Sequence, residues 1–190
     1  MSRAYRIQVQ ETLRRVVKGS DHIGTSLELL ELLPKEQMEQ LLAEELKGKG
    51  FEEQGALLVR RDGDVTITID PKTGKVKVSA QVSEEVELKR TGTGYGDEDW
   101  GQIAKSEAEK RLRDSTRAEL EEEVGHEEQR LTEKATKKLE DELRDLQGEL
   151  DGIVNRVTAE ALKRKAAQLG EIKSLTEDAD SGSMTIVLEV

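Results

Sequence analysis

Two histidines, no cysteine and a surplus of carboxylates bound the chemistry open to this 190-residue chain. Ser20-Asp21-His22 contains the residue types of a hydrolase triad. Adjacent residues cannot simply assume the geometry in which nucleophile, base and orienting acid line up, so a turn or cap role is expected. The other histidine, His126, stands beside Gly125 in a helical stretch and reads as a helix irregularity. Gly92-Thr-Gly94-Tyr-Gly96 follows a strand and precedes a helix, the setting of a phosphate loop. Yet Asp97, Glu98 and Asp99 would repel a phosphate, and no lysine follows at the required place. Asp178-Ala-Asp180-Ser-Gly182 has acids at calcium-loop spacing but lacks the third ligand and the distant bidentate glutamate. Glu121-Glu122-Glu123 and Glu127-Glu128 belong to a solvated helix face, where nothing would shift a carboxylate toward acid–base work. Without cysteine there is no disulfide, thiol nucleophile or thiolate metal site. The reading is of a non-enzyme with no catalytic, metal or cofactor residues.

Charge narrows the partners. The net charge is −11, divided as −4 over residues 1–101, −3 over 102–170 and −4 over 171–190. No segment supplies the positive footprint that nucleic acid or an anionic lipid surface requires. No apolar run approaches the ~20 residues of a bilayer span, and the first residues lack a signal-type apolar stretch. The expectation is a cytoplasmic protein that binds neither nucleic acid nor membrane. Only four residues are aromatic, Tyr5, Phe51, Tyr95 and Trp100, which argues for a small core beside much solvated helix.

The elements must then carry the function as surfaces. Tyr5, Ile7 and Val9 alternate with polar residues, the period of a half-buried strand. Thr25 and Glu28 have capping-box spacing and open a short leucine-rich helix to Leu33. Pro34 begins a second helix whose stripe is Met38, Leu41, Leu42 and Leu46. Three strands follow, turned by Asp62-Gly63-Asp64 and by Asp70 to Gly74. The last runs through Val76, Val78, Ala80, Val82, Val86 and Leu88. This is an α+β class: a β-α-α-β-β-β domain over residues 1–90, an antiparallel meander with helices on one face. Residues 91–101 read as a glycine-rich acidic linker and 102–170 as a long charged helix. Residues 171–190 read as a β-hairpin.

The helix is the informative part. Acid-first i,i+4 pairs such as Glu107–Arg111, Glu109–Arg113 and Glu160–Arg164 support it. Leu139, Leu143, Leu146, Leu150, Ile153 and Val157 fall at 4-3-4-3-4, the seam of a coiled coil. Upstream, Leu112, Leu120, Val124, Leu131 and Ala135 are sparser and include stutters. Gly125 is the candidate hinge or turn. An apolar seam on a lone helix needs cover, either from a second chain in a homo-oligomer or helix-mediated complex, or from this chain folded back.

Residues 2–38 (SRAYRIQVQETLRRVVKGSDHIGTSLELLELLPKEQM) and 155–190 (NRVTAEALKRKAAQLGEIKSLTEDADSGSMTIVLEV) resemble an accessory-protein family of bacterial FtsH ternary systems. Those systems join an FtsH-like AAA+ protein, a MoxR-type AAA+ ATPase and a von Willebrand A protein in conflict or stress responses. The resemblance carries no catalytic motif. It implies a non-catalytic accessory or adaptor subunit whose protein partner is an AAA+ ATPase or a von Willebrand A protein. The alternative is a stalk or scaffold coiled coil resembling the peripheral-stalk subunits of rotary ATPases.

Overall fold

A computed structural model describes residues 4–97, 101–178 and 183–189. In chain order its elements are β1 (Ala4–Ser26), α1 (Lys35–Gly48), β2 (Glu52–Gln54), β3 (Leu57–Asp62), β4 (Val65–Ile69), β5 (Lys75–Asp97), α2 (Gln102–Leu169), β6 (Glu171–Asp178) and β7 (Ser183–Glu189). Strands β1 to β5 form one sheet in the order β1-β5-β4-β3-β2, and β6 and β7 form a separate antiparallel hairpin. The mixed α+β class, the meander and the C-terminal hairpin agree with the sequence reading. The chain divides into two compact units, one of residues 1–20 and 81–135 and the other of 21–80 and 136–190. β1, β5 and α2 each contribute to both.

In the second unit, alternation on the strands does what its period dictates. Val65, Ile67 and Ile69 of β4 pair with Ala80, Val78 and Val76 of β5, and all six are buried on one face. Leu58 of β3 stands opposite Ile69 and extends that face. Met38, Leu41, Leu42 and Leu46 give α1 its buried stripe. The β3–β4 turn uses Gly63 at φ +59, left-handed backbone that a side chain would strain. In the β4–β5 turn the Asp70 carboxylate accepts from Lys72 N–H at 3.0 Å and from the Thr73 hydroxyl at 2.8 Å. Those bonds hold its pKa below the usual carboxylate value, the threonine contributing most.

Four expectations fail, each for an identifiable reason. The helix from Thr25 to Leu33 does not form. β1 continues to Ser26, and Leu27 N–H donates to Gly74 O at 2.8 Å, so pairing with a distant turn overrides a strong local helix preference. For the same reason the loop expected around Ser20, Asp21 and Gly24 is strand. Residues 91–97 are not linker, because β5 runs on to Asp97; Glu98 to Trp100 lie outside the described residues. Pro34 caps α1 from just outside it, its carbonyl accepting from Gln37 and Met38 N–H. The three-residue β2 was too short to show a period.

Candidate functional site

α2 is one helix of 68 residues, and it continues through Gly125, Gly148 and Gly152. Two different surfaces meet it, one in each unit.

In the first unit α2 lies along the paired strands β1 and β5. Leu120, Val124, Leu131 and Ala135 are buried, together with the hydroxyl-bearing Thr116. With the half-buried Leu112, these make a face whose early members recur every four residues. The upstream positions that read as stutters are therefore buried against a sheet. Two glycines allow the approach. A Cβ on Gly19 would lie 2.2 Å from the backbone of Leu131 and Thr132, and one on Gly92 would lie 2.2 Å from the Thr116 hydroxyl. Thr116 donates that hydroxyl back to Leu112 O at 2.8 Å, which satisfies it without water. Gly92 and Gly94, which the sequence offered as a phosphate loop or a linker, are strand positions under Leu112.

Ion pairs flank this packing. Glu84 accepts from Lys134 at 2.6 Å and Arg130 at 2.7 Å, which lowers its pKa, the lysine contributing most. Arg90 reaches Glu119 at 2.6 Å and also meets Glu123. Arg14 pairs with Glu87 across the strands at 2.9 Å.

In the second unit the heptad positions are covered by the chain itself. Leu139, Leu146, Leu150, Ile153 and Val157 are all buried, Ile153 completely, and Leu143 is half-buried. Leu143, Leu146 and Leu150 line a small cleft with Ile23 and Leu27. Glu149 pairs with Arg60 of β3 at 2.9 Å, Lys138 with Asp64, and Arg156 with Glu45 of α1. Arg60 sits over the Phe51 ring at 4.9 Å, a cation–π contact beside a buried aromatic. Of the two covers open to the seam, the structure shows the nearer one, and it needs no turn at Gly125.

The residues singled out for chemistry stay apart. Asp21 accepts from the Thr136 hydroxyl and from His22 N–H, both at 2.8 Å, and its pKa is lowered chiefly by Thr136. It thus orients helix and strand rather than the His22 ring. His126 is exposed on α2. Ala179 to Gly182, in the stretch whose acids have calcium-loop spacing, lie outside the described residues. Among the described residues no three His, Asp or Glu side chains converge as metal ligands would. A shallow open groove of about 800 Å³ crosses the outward sheet face, lined by His22, Leu57, Thr68, Lys75 and Lys77 among others. Asp70 borders it with its carboxylate engaged in its own turn.

What remains exposed is a set of surfaces, and comparison with known proteins gives them a context. The family model described as FtsH ternary system domain X5 matches residues 1–190. The chain belongs to that family. The match spans the charged middle as well as the two ends that carried the resemblance. No curated protein and no solved structure matches the chain. The family name places this X5 chain as a component of an FtsH ternary system, in keeping with an accessory role. Among the described residues of the X5 chain no helix is long and apolar enough to cross a membrane.

Proposed function

We propose that the chain is a non-catalytic accessory or adaptor subunit of an AAA+-linked bacterial conflict or stress system. It works in the cytoplasm through contacts with a protein partner, either an AAA+ ATPase or the von Willebrand A protein. The observation that carries this reading is the whole-chain match to an FtsH ternary system family. The C-terminal hairpin supports it physically. Two strands alone are marginal in water, and none of its described side chains is fully buried. Leu175 and Val187 remain 39% and 46% exposed. A component of a protein assembly is a natural owner of such an element.

The stalk alternative loses its main support, because the seam it would offer to another helix is occupied within the chain. The test is co-expression with each neighbouring AAA+ and von Willebrand A protein, followed by affinity capture through a tag on this chain. Retention of one of them is expected, and loss of that retention on Leu175→Asp or Val187→Asp would locate it at the hairpin. Capture of none of them, with the chain folded, overturns the reading.

A further inference from the structure

We propose that the free edge of β1 pairs with β1 of a second copy of this chain, antiparallel and centred on Leu13. This does not depend on the adaptor reading. β1 is the terminal strand of its sheet. β4 reaches β5 only over Val76 to Ala80, so in the first unit β1 and β5 stand as a two-stranded ribbon. α2 covers one face of that ribbon, but its uncovered edge remains a template for another strand. β1 contains no proline and is 23 residues long; it does carry charge in Arg14, Lys18 and the inward Glu11, so only a register that opposes no like charges can use this edge.

The backbone fixes which groups are on offer. Leu27 N–H points across to Gly74, and Arg14–Glu87 and Val9–Gly92 keep the same antiparallel alignment. N–H groups of odd-numbered β1 residues therefore face β5, and those of even-numbered residues face the open edge. A two-fold axis at Leu13 matches even with even and odd with odd. Edge N–H and C=O groups then meet their counterparts at Thr12 with Arg14 and at Gln10 with Val16.

Side chains agree with that register. On the helix side, Val9 meets Val17, Leu13 meets itself and Glu11 meets Arg15, with no like charges opposed. Glu11 is the telling residue: it is half-buried on that side, and Arg90, which the alignment sets across from it on β5, is engaged by Glu119 and Glu123, so no ion pair to Glu11 forms among the described residues. Arg15 of a second copy would supply the cation. Arg15 is over half exposed and has only a 3.5 Å contact to Glu121 at home. The same operation about Leu88 of β5 would set Val86 against Arg90 and Val82 against Gly94, a poorer match. Two strand spacings of about 4.8 Å would also bring the two α2 helices to about 10 Å, an ordinary helix-packing distance.

The experiment measures mass by light scattering and sedimentation on the full chain at low salt, with circular dichroism to confirm folding. The wild type should be a dimer that weakens as salt rises. Arg15→Glu places two pairs of glutamates opposite one another, and Glu11→Arg places two pairs of arginines. Each should weaken self-association by about tenfold or more, since like charges at an interface cost several kcal/mol. Mixing the two variants sets arginine against glutamate at both contacts and should restore a dimer, now mixed. Val16→Pro, which removes one edge N–H while leaving the β5 side intact, should also weaken it. A monomer at every concentration reached overturns the proposal. So does a dimer indifferent to both charge reversals, or a failure of the mixture to re-form one.

Discussion

Gly19→Ala is the sharpest test of how α2 meets the sheet. The added Cβ would lie 2.2 Å from Leu131 C and Thr132 N and 2.5 Å from Leu131 O. Carbon contacts settle near 3.5 Å or more, so strand and helix must separate locally by about 1.3 Å. These are backbone atoms inside regular elements, and no rotamer change relieves them. Separation would loosen Val17, Leu131 and Ala135, which are 1%, 0% and 0% exposed. Overpacking a core costs about 1–3 kcal/mol, and an unyielding backbone puts this case at about 3. For a chain of this size that is a fall of about 6–12 °C in melting temperature. The control is Gly125→Ala. A Cβ there meets nothing within 4 Å, so alanine should raise stability by about 1 kcal/mol through helix propensity alone. Urea denaturation of both variants gives the numbers. A Gly19→Ala change within about 0.5 kcal/mol of wild type, the ordinary surface value, would refute the packing argument. A destabilising Gly125→Ala would instead revive the hinge expected at that position.

Gly92→Ala should also destabilise, because its Cβ meets the Thr116 hydroxyl at 2.2 Å, Val9 at 3.1 Å and Leu112 at 3.3 Å. Adding Thr116→Ala removes the nearest obstacle, so a double-mutant cycle should show a favourable coupling of about 0.5–3 kcal/mol; simple additivity would mean the contact is not made. Leu146→Ala should cost about 2–5 kcal/mol of folding stability with no change in association state, since the side chain is 2% exposed in the single chain. Dissociation of an oligomer without loss of stability would show that the seam serves another chain. Glu84 carries the pH prediction. Its pKa is lowered by Lys134 and Arg130, so its contribution is present above the unfolded carboxyl value of about 4.3 and is lost as pH falls through the lower folded value. The melting-temperature gap between wild type and Glu84→Gln should therefore close on acidification, and shrink in salt at neutral pH; a gap unchanged by either would remove the ion pairs from the account.

The parts of this fold that could be read locally were those whose period survives in place. Val65 to Ile69 and Val76 to Val82 alternate because one face is buried, and Met38 to Leu46 recur at helical spacing for the same reason. The seam from Leu139 to Val157 was legible as an apolar stripe, but a stripe does not say what covers it. Its cover comes from α1 and strands more than 70 residues upstream, as Arg60–Glu149 and Arg156–Glu45 show. Long-range pairing also defeated the local signals. Thr25 to Leu33 has a cap and leucines enough for a helix, yet the hydrogen bond from Leu27 to Gly74 holds its start beside the β4–β5 turn.

The glycines carried the least local meaning and have the most structural consequence. Gly19 offered no turn partner, and Gly92 sat in a run that read as linker, because what each excludes is an atom of α2 far along the chain. The same logic separates the two halves of α2. A helix against another helix and sheet residues wants a 4-3 alternation, and residues 139–157 show it. A helix laid along a ribbon can place its contacts at nearly one-turn intervals, as Leu112, Thr116, Leu120 and Val124 do. The stutters were thus a change of partner surface written into the spacing. Glu11 extends the argument to the open edge: its cross-strand neighbour Arg90 is engaged by Glu119 and Glu123, so among the described residues this half-buried carboxylate has no ion pair, and the Arg15–Glu11 mixing experiment decides whether a second copy supplies one.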